Sequence, residues 1–526
     1  MRFRNTLFGI IQIPFHKKRL IGLICLITMF LSATALAGDD VQRTDAEDTR
    51  ELIKRAEKLT KKGEVAEAEK ILRRVLKINA KEPRVKLSLA YVLLKQKKLA
   101  ESYLLAFEVA KADPKNSYAF AILGGTLLGS GEFENAKLAF NNSLYLNKRE
   151  SLAWAGLGML DFYENRITDS LNALREAVYY DPNEPDFIFA LGQVSARAEK
   201  YKEAATAYRR FLQIALQNDI ERRDRIKGLI KFLEFLGNRQ SLYEIDGADQ
   251  TTVPIDLVGN RPVIKLKINK NDEPLNFVLD TGSGISVISK ETAKKLKIKP
   301  ITRGGLARAL GGSGKFEIVY GFINSVYIGD VKVKNVPVYI REFHNSGQPV
   351  DGYIGISLIS KFLTTVDYGE LKFSLMRKRL AEKRVVDTEV LSLPLRLTSS
   401  GFLSGKVQLE GVENPLNFIV DTGASISVIS DDLANSKEIS PFLADEKMRV
   451  IGAAGITEDV SSFMLPRVTF GSHSRSKIKA VALDLDIINE ASGFQQAGIL
   501  GGNFLKDYSL TFDFENSKVI FVPNKK

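Results

Sequence analysis

Residues Pro274 to Ser289 read PLNFVLDTGSGISVIS, and residues Pro415 to Ser430 read PLNFIVDTGASISVIS, so one sixteen-residue stretch is written twice at an offset of 141. A repeat of this kind constrains the fold more than composition can, because both copies must build the same local structure. In each copy an apolar run leads directly into Asp-Thr-Gly. A buried strand should therefore deliver a carboxylate, Asp280 or Asp421, at its end into a tight turn where Gly282 or Gly423 lets the backbone bend. A lone Asp-Thr-Gly is an ordinary turn signal, whereas two copies inside matching strands are a built feature.

The flanks repeat as well. Val263 to Ile268 alternates at period two, Asn269 to Glu273 turns the chain, and Leu275 to Leu279 returns it to the first aspartate; Leu403 to Leu409, Glu410 to Asn414 and Leu416 to Val420 do the same in the second copy. Tyr353-Ile354-Gly355 follows Asp280 by 75 residues, and Ile499-Leu500-Gly501 follows Asp421 by 80. Each is succeeded by a strand-like run, Val366 to Leu375 or Phe512 to Val522.

Together these motifs resemble the aspartic proteases, in particular the retropepsin-like fold of the retroviral enzymes, with the pepsin-type enzymes as two-lobed cousins. The resemblance covers residues 253–526, about half the chain. It implies a catalytic dyad of Asp280 and Asp421, with Thr281 and Thr422 bonding across the lobe interface. It also implies that Gly355 and Gly501 support the loops from strands crossing behind them. Between loop and support the family has a glycine-bearing hairpin over the substrate. Gly304 to Phe316 (with Gly311 and Gly312) and Val450 to Val460 (with Gly452 and Gly455) stand there, and two such flaps look more like the retroviral dimer than the pepsin type. The copies differ after the Gly: Ser283 is placed to bond the outer oxygen of Asp280, and Ala424 has no hydroxyl to do so for Asp421.

Carboxylates hydrolyse a peptide bond by holding a water between an ionised partner that takes its proton and a protonated one that donates to the carbonyl. Two carboxylates about 3 Å apart cannot both ionise, so the pair shares a proton. The expected activity is thus an aspartic-type endopeptidase acting on polypeptide substrates without cofactor or metal; the alternative is a non-catalytic interaction scaffold that keeps the protease fold. The lobes are expected to pair within one chain, the alternative being a homodimer of like lobes.

From Asp48 to Asp219 the pattern is helical and repeats every 34 residues. Small residues stand at Ala56, Ala90, Gly124, Gly158 and Gly192, and again at Ala68, Ser102, Ala136, Ser170 and Ala204; turn residues recur at Asn79, Asp113, Asn147 and Asp181. Five helix–turn–helix units follow. They resemble tetratricopeptide (TPR) repeats, with Pro114 and Pro182 at the family's closing proline. Such units stack into a superhelix whose concave face is expected to take a protein or peptide partner. Ile220 to Gly237 reads as a capping helix, and Trp154 and Phe120 as core.

The expected organisation is multidomain, an all-α TPR superhelix followed by an all-β bilobal acid-protease fold. Its parts are a leader at 1–37, the repeat domain with its cap at 48–237, and a linker at 238–252. The first lobe follows at 253–378, a connector at 379–390 and the second lobe at 391–526. The repeat domain should fold by itself, and the linker should be open to proteolysis. The leader places Arg2, Arg4 and Lys17 to Arg19 before the uncharged run Leu20 to Ala37, ending Ala-Leu-Ala, which reads as a cleavable signal peptide. Export to a periplasmic or extracellular compartment follows, or membrane anchoring if the segment is retained.

Other chemistries are poorly served. Cys25 is the one cysteine and falls in the leader, and His16, His344 and His473 form no zinc motif; the last two read as loop residues. GGSGK at Gly311 to Lys315 lacks the first Gly of a phosphate loop (Ala309) and its Ser or Thr (Phe316), and there is no G-x-S-x-G elbow. The net charge of +12 comes from 75 basic and 63 acidic residues that are largely interspersed, which argues against a nucleic-acid surface.

Overall fold

The computed structural model describes residues 39–215, 220–239, 241–312, 314–343, 350–381 and 392–525. The leader 1–37, residues 382–390 of the connector and His344 lie outside the described residues.

Five helix pairs run from Asp39–Lys62 with Val65–Ile78 to Pro185–Arg197 with Tyr201–Ile214, and Ile220–Gly237 closes the array. The two series of small residues are where the helices of a pair touch. Ala68, Ser102, Ala136, Ser170 and Ala204 are fully buried. Where this series carries serine, the hydroxyl donates to the other series in its own repeat, Ser102 to the Ala90 carbonyl and Ser170 to that of Gly158, both at 2.6 Å. At Gly124 a Cβ would collide with the Phe140 ring. Between repeats, Asp113, Asn147 and Asp181 each accept from the amide two residues on, the Asx turn that ends one unit and starts the next.

A third 34-residue series appears only in the backbone. Gly63, Lys97, Gly131, Asn165 and Glu199, at the turn within each pair, all take positive φ, between 59° and 84°. Only three of the five are Gly or Asn, so residue type did not reveal them. On the inner helices Lys95 reaches Glu184 (2.6 Å) and Asp186 (2.7 Å), and the Tyr91 hydroxyl donates to Glu184. These side chains bridge the groove between the second and fifth repeats. Phe120 is buried as expected, but Trp154 is only partly so, its indole N–H donating to the Lys148 carbonyl near the surface.

Beyond the cap helix two lobes repeat one sheet topology. In the first, the strand Arg261–Ile268 pairs with Leu275–Leu279, and pairing continues through Gly352–Ile354, Val287–Ser289, Val331–Arg341 and Lys315–Ile328 back to Arg261–Ile268, so the sheet closes on itself. The second closes in the same order through Leu403–Leu409, Leu416–Val420, Gly498–Leu500, Ser427–Ser430, His473–Leu483 and Gly455–Phe470. A third sheet joins the lobes, with Phe362–Asp367 antiparallel to Tyr508–Asp513. His473 opens a strand, buried against Tyr508 and Phe521, so it is a core residue of the second lobe and not a loop residue.

Two boundaries differ from the sequence reading. Residues 238–252 are not a free linker: Glu244–Gly247 pairs with Val331–Arg341, and Gln250–Pro254 pairs with Lys372–Arg377. The few apolar residues there pair through their backbone, which hydropathy does not register. Nor does the repeat array stand apart, because residues Ile53 to Lys526 form one compact unit. Its intra-pair turns dock on the β-rich half. Asn165 donates to the Phe514 carbonyl and Gln495 to that of Gly129, both at 2.9 Å, and Phe494 packs edge-on to Phe133 and Tyr163. Arg396 lies 4.0 Å from the centre of the Phe133 ring. The cap helix buries Ile226, Ile230 and Leu233 on the fifth repeat, closing the array as expected, and turns Phe232 and Leu236 to the first lobe.

Candidate active site

Each Asp-Thr-Gly loop hangs from a strand held on the side by a short parallel partner. Leu279 lies opposite Ile354 and Val420 opposite Leu500, and the ladder runs one residue further, Asp280 N–H to the Ile354 carbonyl and Asp421 N–H to that of Leu500, both 3.0 Å. The same partner strand pairs antiparallel with the segment leaving the loop, so each aspartate is gripped at its backbone from behind. Gly355 and Gly501 stand where that strand passes under the loop. A Cβ at either would meet the carbonyl of Ser283 (2.7 Å) or Ile426 (2.6 Å). Their amides donate to Ser286 Oγ (3.1 Å) and Ser427 Oγ (3.2 Å). Sequence reasoning missed these two serines, although they are 141 residues apart inside the repeated stretch.

The lobes are tied at the threonines. Thr422 N–H donates to Thr281 Oγ1 (3.0 Å) and Thr281 N–H to Thr422 Oγ1 (3.2 Å), while the two hydroxyls donate to the Val420 and Leu279 carbonyls of the opposite strand at 2.7 Å. Both threonines are fully buried, so no water competes for these bonds. The exchange is made by the two lobes of one chain.

This register brings Asp280 and Asp421 together. A Cβ on Gly282 would strike the Asp421 carboxylate, and one on Gly423 that of Asp280. Neither glycine has positive φ, so glycine is required here for space and not for backbone twist, a different reason from the turn expected. Asp280 Oδ1 accepts from Gly282 N–H (2.9 Å) and Asp421 Oδ1 from Gly423 N–H (2.7 Å). The carboxyl groups lie deep in the molecule yet keep partial solvent access. Burial raises both pKa values. Asp280 is pushed further by the charge of Asp421 and by the hydrogen bond between them, whereas at Asp421 the amides of Gly423, Ala424 and Gly282 and the Asp280 side chain oppose the rise. The pair therefore holds a proton above the ordinary carboxylate range, with the larger rise at Asp280 and the opposing amides gathered on Asp421. Ser283 has no part in this inequality: its hydroxyl donates to the Ile285 carbonyl at 2.8 Å, turned away from Asp280 by the bend of its own loop.

Two hairpins rise beside the loops, Thr302–Arg308 with Lys315–Ile328 and Leu443–Gly452 with Gly455–Phe470. Their tips meet, with Ala454 N–H donating to the Leu310 carbonyl (3.0 Å) and Gly312 N–H to the Thr457 side-chain Oγ1 (3.3 Å). Gly311, Gly312 and Gly455 have positive φ, and a Cβ on Gly311 or Gly452 would run into the opposite tip. The sequence reading overlooked Arg341, whose Nη1 donates to Ala453 in the second tip at 3.2 Å. No motif marks it, because its strand is not part of the repeated stretch.

An aspartyl protease family model matches residues 264–358 and 405–504, and a tetratricopeptide repeat model matches 53–117 and 156–219. Among curated proteins, anaphase-promoting complex subunit 3 of Schizosaccharomyces pombe is 28% identical over 118 residues, 22% of this chain, and the match spans 18% of that protein's length. Similar solved structures include a thermophilic TPR protein of Thermus thermophilus (17% identity, 35% of this chain and 98% of that one, TM-score 0.30). PilF of Pseudomonas aeruginosa is another (18%, 37% and 89%, TM-score 0.27).

Proposed function

We propose that this chain, which carries an aspartyl-protease domain in two segments behind an array of tetratricopeptide repeats, is an exported aspartic endopeptidase whose array recruits a protein or peptide partner. The observation that carries the reading is the meeting of Asp280 and Asp421, one from each lobe, with their loops locked by reciprocal threonine bonds.

Asp421 in its ionised form takes a proton from a water held between the carboxyls, and Asp280 donates its own to the substrate carbonyl. The resulting tetrahedral diol breaks at its C–N bond as the amine nitrogen receives a proton from Asp421 and a diol hydroxyl returns one to Asp280, which leaves an acid, an amine and the dyad as it began. Closed hairpins would exclude bulk water and strengthen each of these interactions. Because one proton must be shared, the rate should fall where both carboxyls are protonated and where both ionise, giving a bell-shaped pH profile.

Export rests on the leader, and sequencing the N-terminus of protein recovered outside the cytoplasm tests it. Purified protein should cleave a mixed peptide library and bind pepstatin, and both Asp280→Asn and Asp421→Asn should remove cleavage with the circular dichroism unchanged. Undiminished cleavage by either variant would overturn the dyad. A wild type that neither cleaves nor binds pepstatin would leave the scaffold reading in its place.

A further inference from the structure

Strand register fixes which residues of the two lobes are equivalent. Ser289 lies opposite Arg341 in a parallel pair, and Ser430, its counterpart in the repeated stretch, lies opposite Leu483. A position that carries a guanidinium in one lobe thus carries an isobutyl group in the other. The neighbouring wall differs likewise, with Tyr353 before Ile354-Gly355 and Ile499 before Leu500-Gly501. The second wall is apolar, with Val428, Val481, Leu483 and Ile499 packed in one cluster with Leu310 of the first hairpin tip.

Arg341 stands among rings. Its guanidinium carbon is 5.5 Å from the centres of Phe316 and Phe343 and 5.8 Å from that of Tyr353. Apart from the bond to Ala453 its side chain is poorly satisfied, with Nε buried and unpartnered. Among the described residues Asp280 is the one carboxyl that acts on it electrostatically, and in the proposed resting state that carboxyl carries the shared proton; burial holds the guanidinium below its ordinary pKa. A cation removed from water without a counterion costs several kcal/mol as an order of magnitude. Here it does so beside the dyad, between the two hairpins.

We propose that Arg341 determines specificity on the first-lobe side of the cleft, taking the acidic side chain of a Glu or Asp residue next to the scissile bond, while the Leu483 and Ile499 wall takes an aliphatic one. This rests on the endopeptidase reading and names its substrate class. A carboxylate supplies the missing counterion and can accept two parallel N–H bonds from the guanidinium, in a site where the flanking rings keep water away. The competing role for Arg341 is a latch that holds the second hairpin through Ala453.

Matched peptides with Glu or Gln at each position around one cleavable bond separate the two. For wild type, kcat/KM should favour Glu over Gln at one position by about 10- to 100-fold. The advantage should fade as the assay pH falls below about 4.3, where free Glu protonates. In Arg341→Gln the ratio should fall to within about twofold of unity, and Arg341→Lys should keep part of it. A pure latch would instead lower the rates for Glu and Gln peptides together and leave their ratio intact, which overturns the proposal. Cleavage by wild type with no acidic preference at any position also overturns it while leaving the endopeptidase reading in place, and failure to cleave any peptide overturns both.

Discussion

The hairpin of the first lobe has Ile318 and Tyr320 buried beneath the cap helix, with Tyr320 stacked on Phe232 at 4.3 Å and Phe235 edge-on to Phe322. In the second lobe the equivalent hairpin leaves Leu443, Ile451 and Met464 between 40% and 56% exposed, where the first leaves Leu306 at 42%. The two also differ in their turns, the second strand pair being joined by Ala453-Ala454 alone, but the larger difference lies in what backs them. At Gly228 the cap helix comes so close that a Cβ would hit the backbone of Arg303 and Gly304, and Arg225 donates to the Leu306 carbonyl. A hairpin held this way is poorly placed to swing, so in the proposed endopeptidase substrate would enter past the second one. The two copies have thus become one jaw held by the cap helix and continuous with the repeat array, and another that is joined to it at the tip.

If the halves are chemically complementary despite this, losing either carboxyl should be equally damaging. Asp280→Asn and Asp421→Asn should each lower kcat by at least about 10³-fold, since a shared proton needs both partners. Mixing the two variants should restore nothing, because the lobes pair within one chain; substantial recovery would mean that lobes exchange between chains. The next largest effect is expected at the jaw that is held. Phe232→Ala should cost about 3–5 kcal/mol in denaturant unfolding and raise hydrogen exchange in residues 302–320 more than in 443–460. Equal exchange in the two hairpins of the wild type would remove the distinction.

Much of the candidate site was legible because both its halves are spelled out. The aspartates, threonines and supporting glycines all fall in matching stretches, and the closed sheets follow from strand patterns repeated in the same order. What was not legible depends on contacts between unlike parts. The repeat array's docking is carried by turn residues such as Gly131 and Asn165, and by Phe494, whose sequence context announces no partner. The strands at 244–247 and 250–254 pair through backbone atoms, and Arg341 gains its meaning only from Ser289, Ala453 and three rings gathered by folding. Ser283 failed for the opposite reason: a difference between the copies was visible, but the hydroxyl's direction was not.

A smaller contrast concerns the serines behind the loops. Ser286→Ala and Ser427→Ala each leave the amide of a buried glycine without its acceptor, a loss of about 1–3 kcal/mol. Ser427 also donates to Asn503 Oδ1 at 2.9 Å, so its replacement should be the costlier of the two in thermal or denaturant unfolding. The reverse order would show that the first lobe, and not the second, depends more on its hydroxyl.

The smallest expected effect is on stability against pH, and it follows from the raised dyad. Asp280 begins from an ordinary value of 3.8 and is well above it in the folded chain, so the native state keeps a proton that the unfolded state has released. With more protons bound in the native state, unfolding free energy declines as pH rises from about 3.8 toward the raised value. The contribution is fully present below that window and lost above it. Asn in place of Asp280 cannot ionise, so Asp280→Asn should melt with wild type in acid and increasingly above it as pH rises, by roughly a degree or two per kcal/mol removed in a unit of this size. Asp421→Asn should show a similar trend, because removing either charge relieves the other. A melting difference that is constant across pH, or largest in acid, would mean that the two carboxyls do not share their proton in the folded protein.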